Sequence, residues 1–572
     1  MFAREIETGP RRSRLALYLA LWAIWIVAGL AGHDPWKPDE AENFGVVYQM
    51  LQSGDWLVPA LASETYLVNP PLFHWVAAAF ATLFSPPLEL HDAARLAAGF
   101  FMAMTLLFTA AAAREFFGRG YGWVAPMGLI GCLGLLVRGH LLIPELGALA
   151  GFALALYGFA LATARPVWGG IAIGSGIGIA FLVSGILVPL TLIIVIPIAP
   201  MLLYELRNVR LGIALFAALL AALPWLFAWP YALYERVPEL FQFWIWGVEI
   251  GQFLPRAGVS IATSHFAAIL PWYAWPVWPI ALWTLWRGHP AAWQRPGIVL
   301  PLITFLVLLA LLSLSHTAGE SDALPLLVSL SLMATAMIDT VRRGAASALD
   351  WFGIMTFGLI AGLLWLGWIA LVTGQPEVVA ERLREYQQGF EIGINYPALI
   401  FSILITLLWI GLVWRIGRGN RRALVNWAAG ITLIWLIAMA LWLPSVDRVK
   451  SYRGVVAALK QHLHDGCVAS RGLGTSQRAM LHYFAGIVTE RLEVERRSKC
   501  DLLLVQTRSS DAEERGEWNK IWEGSRPGDR NERFRLYQRT RDEAVFHPSS
   551  LIFPITFAVS ESDVRPAPAS PG

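Results

Sequence analysis

Eleven apolar runs, each long enough to cross a bilayer, recur along this chain, near residues 14–32, 95–113, 121–137, 146–163, 211–231, 265–286, 298–315, 323–341, 352–373, 397–415 and 423–443. A helix needs roughly 17–25 apolar residues to span the hydrocarbon core. A twelfth stretch, 168–204, is too long for one helix, and Ser184-Gly185 is its expected break, so it counts as two. The sum is about thirteen crossings. Backbone in lipid must satisfy its own hydrogen bonds, so such a chain folds as a polytopic α-helical membrane protein. Composition agrees: 56% of the 572 residues are hydrophobic and 15% charged, which excludes an ordinary soluble fold. The 27 Trp suit many helix ends at the membrane–water interface. The net charge of +3 is spread over loops rather than gathered in one patch, so nothing points to nucleic acid. The first run, Leu15 to Leu30, has no small-residue cleavage site and reads as a retained helix.

Loop charge sets the expected topology. Basic loops face the cytoplasm. Arg4, Arg11, Arg12 and Arg14 put the N-terminus inside. Arg114 with Arg119, Arg165, Arg207 with Arg210, Arg287 with Arg295, Arg342 with Arg343, and the cluster Arg415, Arg418, Arg421, Arg422 agree with it only if residues 71–84 do not cross. That run is about fourteen residues long and bracketed by Pro70-Pro71 and Pro86-Pro87, so it reads as a surface helix. The same parity places 33–94, 138–145, 232–264, 316–322, 374–396 and everything after Leu443 outside. A membrane domain therefore covers 1–444, with a large external loop at 33–94.

Residues 445–545 are a different material. A helix-like stretch 449–464, an apolar run 467–469, a helical candidate 476–485 and a second run 502–505 suggest a small α/β domain. Cys467 and Cys500 lie in it, and two lone Cys in an extracytoplasmic domain form a disulfide candidate. Cys132, in an apolar run, reads as a packed thiol. The Pro-rich tail, 546–572, is expected to be disordered.

The acidic stretch Trp36-Lys37-Pro38-Asp39-Glu40-Ala41-Glu42 follows the first span. Carboxylates near lipid are costly and ask for a reason. One reason is chemistry at the membrane surface. The plainer one is helix capping, since acids favour helix N-termini. Residues 41–52 carry Ala41, Phe44, Val47, Tyr48 and Leu51 at helical spacing, which reads as a second helix lying on the bilayer.

The wider string is Pro38-Asp39-Glu40-Ala41-Glu42, then Gly54-Asp55-Trp56-Leu57-Val58-Pro59, then Tyr66-Leu67-Val68-Asn69-Pro70-Pro71-Leu72-Phe73-His74-Trp75. It resembles the first external loop of the polyprenyl-phosphate-dependent glycosyltransferases with the GT-C fold, which include protein O-mannosyltransferases and lipid A aminoarabinose transferases. Ala94-Arg95-Leu96, the aromatic string Phe243 to Glu249, Pro271-Trp272, and Ser313-Leu314-Ser315-His316 with Leu324-Pro325-Leu326-Leu327 extend the resemblance over roughly 10–345.

The resemblance implies inverting transfer of one sugar from a polyprenyl-phosphate donor to a lipid, glycan or protein acceptor, at the outer face of a bacterial inner membrane. Asp39 matches the family's catalytic Asp, with Glu40 as its supporting neighbour. An acceptor hydroxyl needs a base, and the departing phosphate needs cations. Arg95, Arg138 and Lys37 are the candidates for the donor phosphate, although either Arg also suits an interfacial anchor. Asn69, His74, Glu249 and His316 are candidate substrate contacts, and His265 is a further cation candidate.

This chain departs from the family pattern in places. Val68-Asn69 stands where relatives have Glu-Lys, Glu42-Asn43 replaces the expected Arg, Asp322 aligns with a Tyr, and Ser184 with a Lys. No metal motif appears, although Asp39, Glu40, Glu249 and His74 are ligand types that a divalent ion takes. Two rival readings are an inactive relative that binds polyprenyl-linked glycans and a lipid-linked substrate transporter or flippase. A transporter would favour charges within spans and repeat symmetry, and neither is clear here.

Overall fold

The computed structural model describes residues 12–254, 265–288, 290–387, 393–415, 419–464, 466–494, 498–508, 517–527, 529 and 532–540. Arg4, Arg11, Arg418 and the expected tail lie outside the described residues.

Every long apolar run is helical. After α1 (Arg12–Val27), the segment 33–94 holds α2 (Asp39–Ser53), a hairpin of β1 (Ala60–Leu61) and β2 (Glu64–Thr65), and α3 (Leu72–Phe84). α4 (Leu90–Phe117) follows. The next run is split into α5 (Val124–Ile130) and α6 (Leu133–Leu136), and its two halves bend by 77°. Then come α7 (Glu145–Ala162), α8 (Pro166–Ser184), α9 (Leu187–Leu202), α10 (Val209–Arg236), the short α11 (Pro238–Gln242), α12 (His265–Tyr273) and α13 (Val277–Gly288). The last helices of the membrane domain are α14 (Pro296–Leu314), α15 (Leu324–Ala336), α16 (Arg343–Thr373), α17 (Glu377–Gln387), α18 (Tyr396–Arg415) and α19 (Asn420–Ile437).

Among the described residues, eight helices are long and apolar enough to cross a membrane alone, and the bent pair makes a ninth. The other runs are short or interrupted: α1 and α9 have 16 residues each, and Pro276 stands between α12 and α13. The break at Ser184-Gly185 is present. Gly185 has φ 79°, and a Cβ there would lie 2.7 Å from Cδ of Glu249, so both conformation and space demand glycine. Close helix approach marks the core of the membrane domain. A Cβ on Gly151 in α7 would lie 2.6 Å from the Gly176 carbonyl oxygen in α8, the small-residue contact that lets membrane helices touch.

The short α3 has 13 residues and buries Phe73, His74, Ala77, Ala78 and Ala81. It packs along α4. α2 packs against the C-terminal domain. The Phe44 and Tyr48 rings meet Tyr483 at 4.7 and 5.2 Å, and Val46, Val47 and Met50 are buried.

α19 runs through a π-helical segment, Ala438–Trp442, into α20 (Leu443–Lys450). α21 (Arg453–Lys460), β3 (Val468–Arg471), α22 (Thr475–Ala485), β4 (Thr489–Arg491), β5 (Leu502–Thr507), β6 (Trp518–Gly524) and β7 (Arg533–Arg539) complete the chain described. The sheet order is β4-β3-β5-β7-β6. β3 is parallel to both its neighbours and β7 antiparallel to both of its own. Leu502, Leu503, Leu504 and Val505 are buried in the central strand. Cys467 and Cys500 form a disulfide just ahead of β3 and β5.

Candidate active site

Asp39 and Glu40 are neighbours in sequence, but a helix turns about 100° per residue, so they face different ways. Glu40 points inward and is 1% exposed. Its Oε1 accepts Arg95 Nε at 2.8 Å and the Leu142 backbone N–H at 3.1 Å, and its Oε2 accepts the Trp36 N–H at 3.3 Å. Burial opposes the charge, yet Arg95 and His33 with these hydrogen bonds hold the carboxyl below its usual range. Arg95, also 1% exposed, donates in addition to Asp92 Oδ1 at 2.7 Å and to the carbonyls of Leu30 at 3.3 Å and His33 at 3.1 Å. Four N–H groups of Arg95 are thus engaged within the protein. It ties α1, α2 and α4 together and is not placed to take a donor phosphate, contrary to the expectation from sequence.

Asp39 points the other way. Pro38 occupies the N-cap position and no side chain caps the helix there, so capping does not account for Asp39. Its carboxylate has an exposed face and makes no hydrogen bond or ion pair among the described residues. Its backbone carbonyl accepts Asn43 Nδ2 at 2.8 Å. Loss of hydration raises its pKa, and Glu42 adds to that, against the pull of Arg138. Asp322 and Glu145 from neighbouring segments are close enough to interact electrostatically with Asp39. Burial raises the pKa of Asp322 as well. Asp39, Glu145 and Asp322 therefore converge on one cleft, and Arg138 is the cation that faces them.

Arg138 opens a short 3-10 turn, Arg138–His140. Its Nη2 is paired with Glu320, and its guanidinium lies over the Tyr273 ring, 5.5 Å from the centroid. Tyr273 OH donates to the Glu320 carbonyl at 2.7 Å. The side chain is 28% exposed, so unlike Arg95 it remains reachable from the cleft.

The other expected residues are more dispersed. Lys37 turns to the C-terminal domain and pairs with Glu532 at 2.8 Å and Asp529 at 3.5 Å. His74 is buried behind α2, and its Nε2–H donates to Asn43 Oδ1 at 2.9 Å, since Asn43 Nδ2 is committed to Asp39. Burial pushes its imidazole down to about 3, so it is neutral and supports the first turn of α2 from behind. Asn69 is half-buried in the loop ahead of α3. Glu249 is a correction: it is 2% exposed and accepts the Ile186 N–H at 2.8 Å, capping the start of α9. Burial pushes its carboxyl up to about 7. His316 is held through its backbone N–H to the Gln252 carbonyl at 2.9 Å, on the loop that also carries Glu320. His265 begins α12 and packs on Phe266. Asp39, Glu40, Glu249 and His74 do not converge as metal ligands. Among the described residues, the groups with that geometry are Cys467, Glu490 and Cys500, and Asp34, Glu89 and His91. The first contains the disulfide, and in the second Arg453 pairs with both Asp34 and Glu89.

Sequence reasoning missed Glu42, Tyr66, Glu145, Glu320 and Asp322 as parts of the site. A signal was available for three of them: Glu145, Glu320 and Asp322 stand at helix starts in segments that loop charge grouped with 33–94.

No protein-family model matches the chain. It is 26% identical over 381 residues to an undecaprenyl phosphate-alpha-4-amino-4-deoxy-L-arabinose arabinosyl transferase of Pseudomonas savastanoi, covering 62% of this chain and 66% of that relative. The enzyme of the same name from Serratia proteamaculans is 24% identical over 448 residues, covering 75% and 76%. The solved structure of ArnT from Cupriavidus metallidurans bound to undecaprenyl phosphate superposes with a TM-score of 0.65 at 15% identity, covering 92% of this chain and 98% of that one. The fold of the two chains is the same.

Proposed function

We infer that this chain, a multi-pass membrane protein with the GT-C fold and a sequence relative of the aminoarabinose transferases, transfers one sugar from a polyprenyl-phosphate donor to a lipid, glycan or protein acceptor. The observation that carries the reading is the division of labour between Asp39 and Glu40. One carboxylate is consumed by the scaffold, and the next is left unpaired in a cleft opposite Arg138.

Asp39 takes the proton of an acceptor hydroxyl. The oxygen attacks the anomeric carbon as the bond to the phosphate oxygen breaks, with inversion. The polyprenyl phosphate leaves with one more negative charge than it carried in the donor. Arg138 meets that charge, where a preorganised cation is most effective. A single base suffices for such a displacement, and a base of raised pKa is a stronger one. The outer face of the inner membrane is the expected location: the basic loops are grouped on the opposite side, and a disulfide suits an oxidising compartment.

The test is donor-dependent release. The purified protein in nanodiscs is incubated with a panel of polyprenyl-phosphate sugars, each with a lipid or glycan acceptor, and free polyprenyl phosphate is quantified. Release with one donor and its acceptor supports transfer. Binding of donors without release from any of them favours a binding protein instead.

A further inference from the structure

We propose that the C-terminal domain is part of the transfer site: through Thr475 and Ser476 it holds Glu42 against the first turn of α2, and Glu42 positions Asp39. This rests on the transferase reading above and deepens it.

Glu42 lies three residues after Asp39, on the same helical face. Its Oε2 accepts Tyr66 OH at 2.7 Å. Its Oε1 accepts the hydroxyls of Thr475 and Ser476, the latter at 2.9 Å. The Ser476 hydroxyl is also 3.3 Å from the Pro38 carbonyl, so its one proton is shared between two acceptors that both belong to the start of α2. All the partners of Glu42 are hydroxyls, and no Lys or Arg pairs with it among the described residues. Its charge is therefore fixed in place without being neutralised. Thr475 and Ser476 open α22, whose N-terminal dipole favours that charge further. This position is also where the sequence departs from the family pattern, which expects Arg there. An Arg would meet two hydroxyls and a helix N-terminus instead of a carboxylate.

The groups that interact electrostatically with Asp39 are Glu40 and Glu42 from its own helix, Arg138, Glu145 from α7, Asp322, and Tyr66. Glu42 is the one of these tied directly to the C-terminal domain. The domain is docked independently of it. Lys37 pairs with Glu532, Glu64 with Arg478 at 2.7 Å and Arg491 at 3.0 Å, and Asp34 with Arg453 at 2.5 Å. Removing the two hydroxyls therefore leaves the domain docked, with Glu42 held by Tyr66 alone and the Pro38 carbonyl without the Ser476 hydroxyl.

The full-length protein carrying Thr475→Ala with Ser476→Ala, and separately Glu42→Gln, is compared with wild type. The double variant lowers kcat about tenfold with donor KM within about twofold, the pattern of a disturbed base rather than of lost binding. Glu42→Gln moves the acid limb of kcat to lower pH, because a negative neighbour of Asp39 is gone. A melting temperature kept by both variants excludes general unfolding. Unchanged kcat and an unmoved acid limb overturn the proposal. A second readout needs no turnover: carbodiimide and an amine label Asp39 across pH, followed by mass spectrometry. Glu42→Gln shifts the labelling midpoint downward, and an identical midpoint overturns the proposal. If wild type transfers no sugar while the midpoint shifts, the transferase reading fails and the Glu42 positioning of Asp39 stands.

Discussion

Arg95 Nε donates to Glu40 Oε1 at 2.8 Å, and both side chains are 1% exposed. This pair sits directly behind the residue that faces the cleft. It explains why two adjacent acids can do different things: Glu40 has a cation of its own, so Asp39 does not need to share one.

Breaking the pair destabilises the fold. Arg95→Ala leaves Glu40 and Asp92 buried without their cation, which costs about 3–5 kcal/mol. A lowered melting temperature in detergent, measured by intrinsic fluorescence, checks this. A melting temperature equal to wild type contradicts it.

Activity and stability respond to acid at different pH. Burial and Glu42 raise the pKa of Asp39, so the base is lost as pH falls through a value above that of a free aspartate, about 3.9. Glu40 is shifted the other way despite its burial, because Arg95 favours its charge. The stability Glu40 contributes is present above the unfolded value, about 4.3, and is lost only as pH falls through the lower folded value. Mild acid therefore stops transfer while the protein remains folded. Transfer rates and fluorescence recorded over the same pH series, with recovery on return to neutral pH, measure the gap.

Arg138 and Glu320 oppose one another in their effects. Arg138→Ala removes the cation that meets the leaving phosphate and lowers kcat about 10²–10³-fold. Glu320→Gln takes a competing carboxylate off Arg138, so donor KM falls while kcat is retained. Steady-state kinetics of the two variants distinguish the roles. A donor KM that rises in Glu320→Gln contradicts this assignment.

The disulfide stabilises the C-terminal domain. Cys467 and Cys500 are 33 residues apart, and closing a loop of that length is worth about 3–4 kcal/mol in the chain-entropy account. Cys467→Ser with Cys500→Ser therefore makes the domain more sensitive to proteolysis at moderate urea. Digestion rates equal to wild type contradict it.

The helices of the membrane domain were legible because each apolar run announces a helix by its length, and Gly185 marked the break between α8 and α9. The first-loop string led to Asp39. Burial was not legible. Arg95 sits at the start of a span, as a phosphate ligand would, and nothing local says that the His33 and Leu30 carbonyls and Glu40 close over it. Long-range partners were hidden for the same reason: Glu42 and Thr475 are 433 positions apart. β7 was missed because its apolar Phe534 and Leu536 alternate with arginines, a half-buried pattern that a search for continuous apolar runs passes over.

In the proposed reaction Asp39, not Glu40, acts on the acceptor. Single-turnover sugar transfer by folded Asp39→Asn protein, with saturating donor and acceptor, tests it most directly. Donor is expected still to bind, and transfer to fall by about 10²-fold or more. Transfer at the wild-type rate would contradict it.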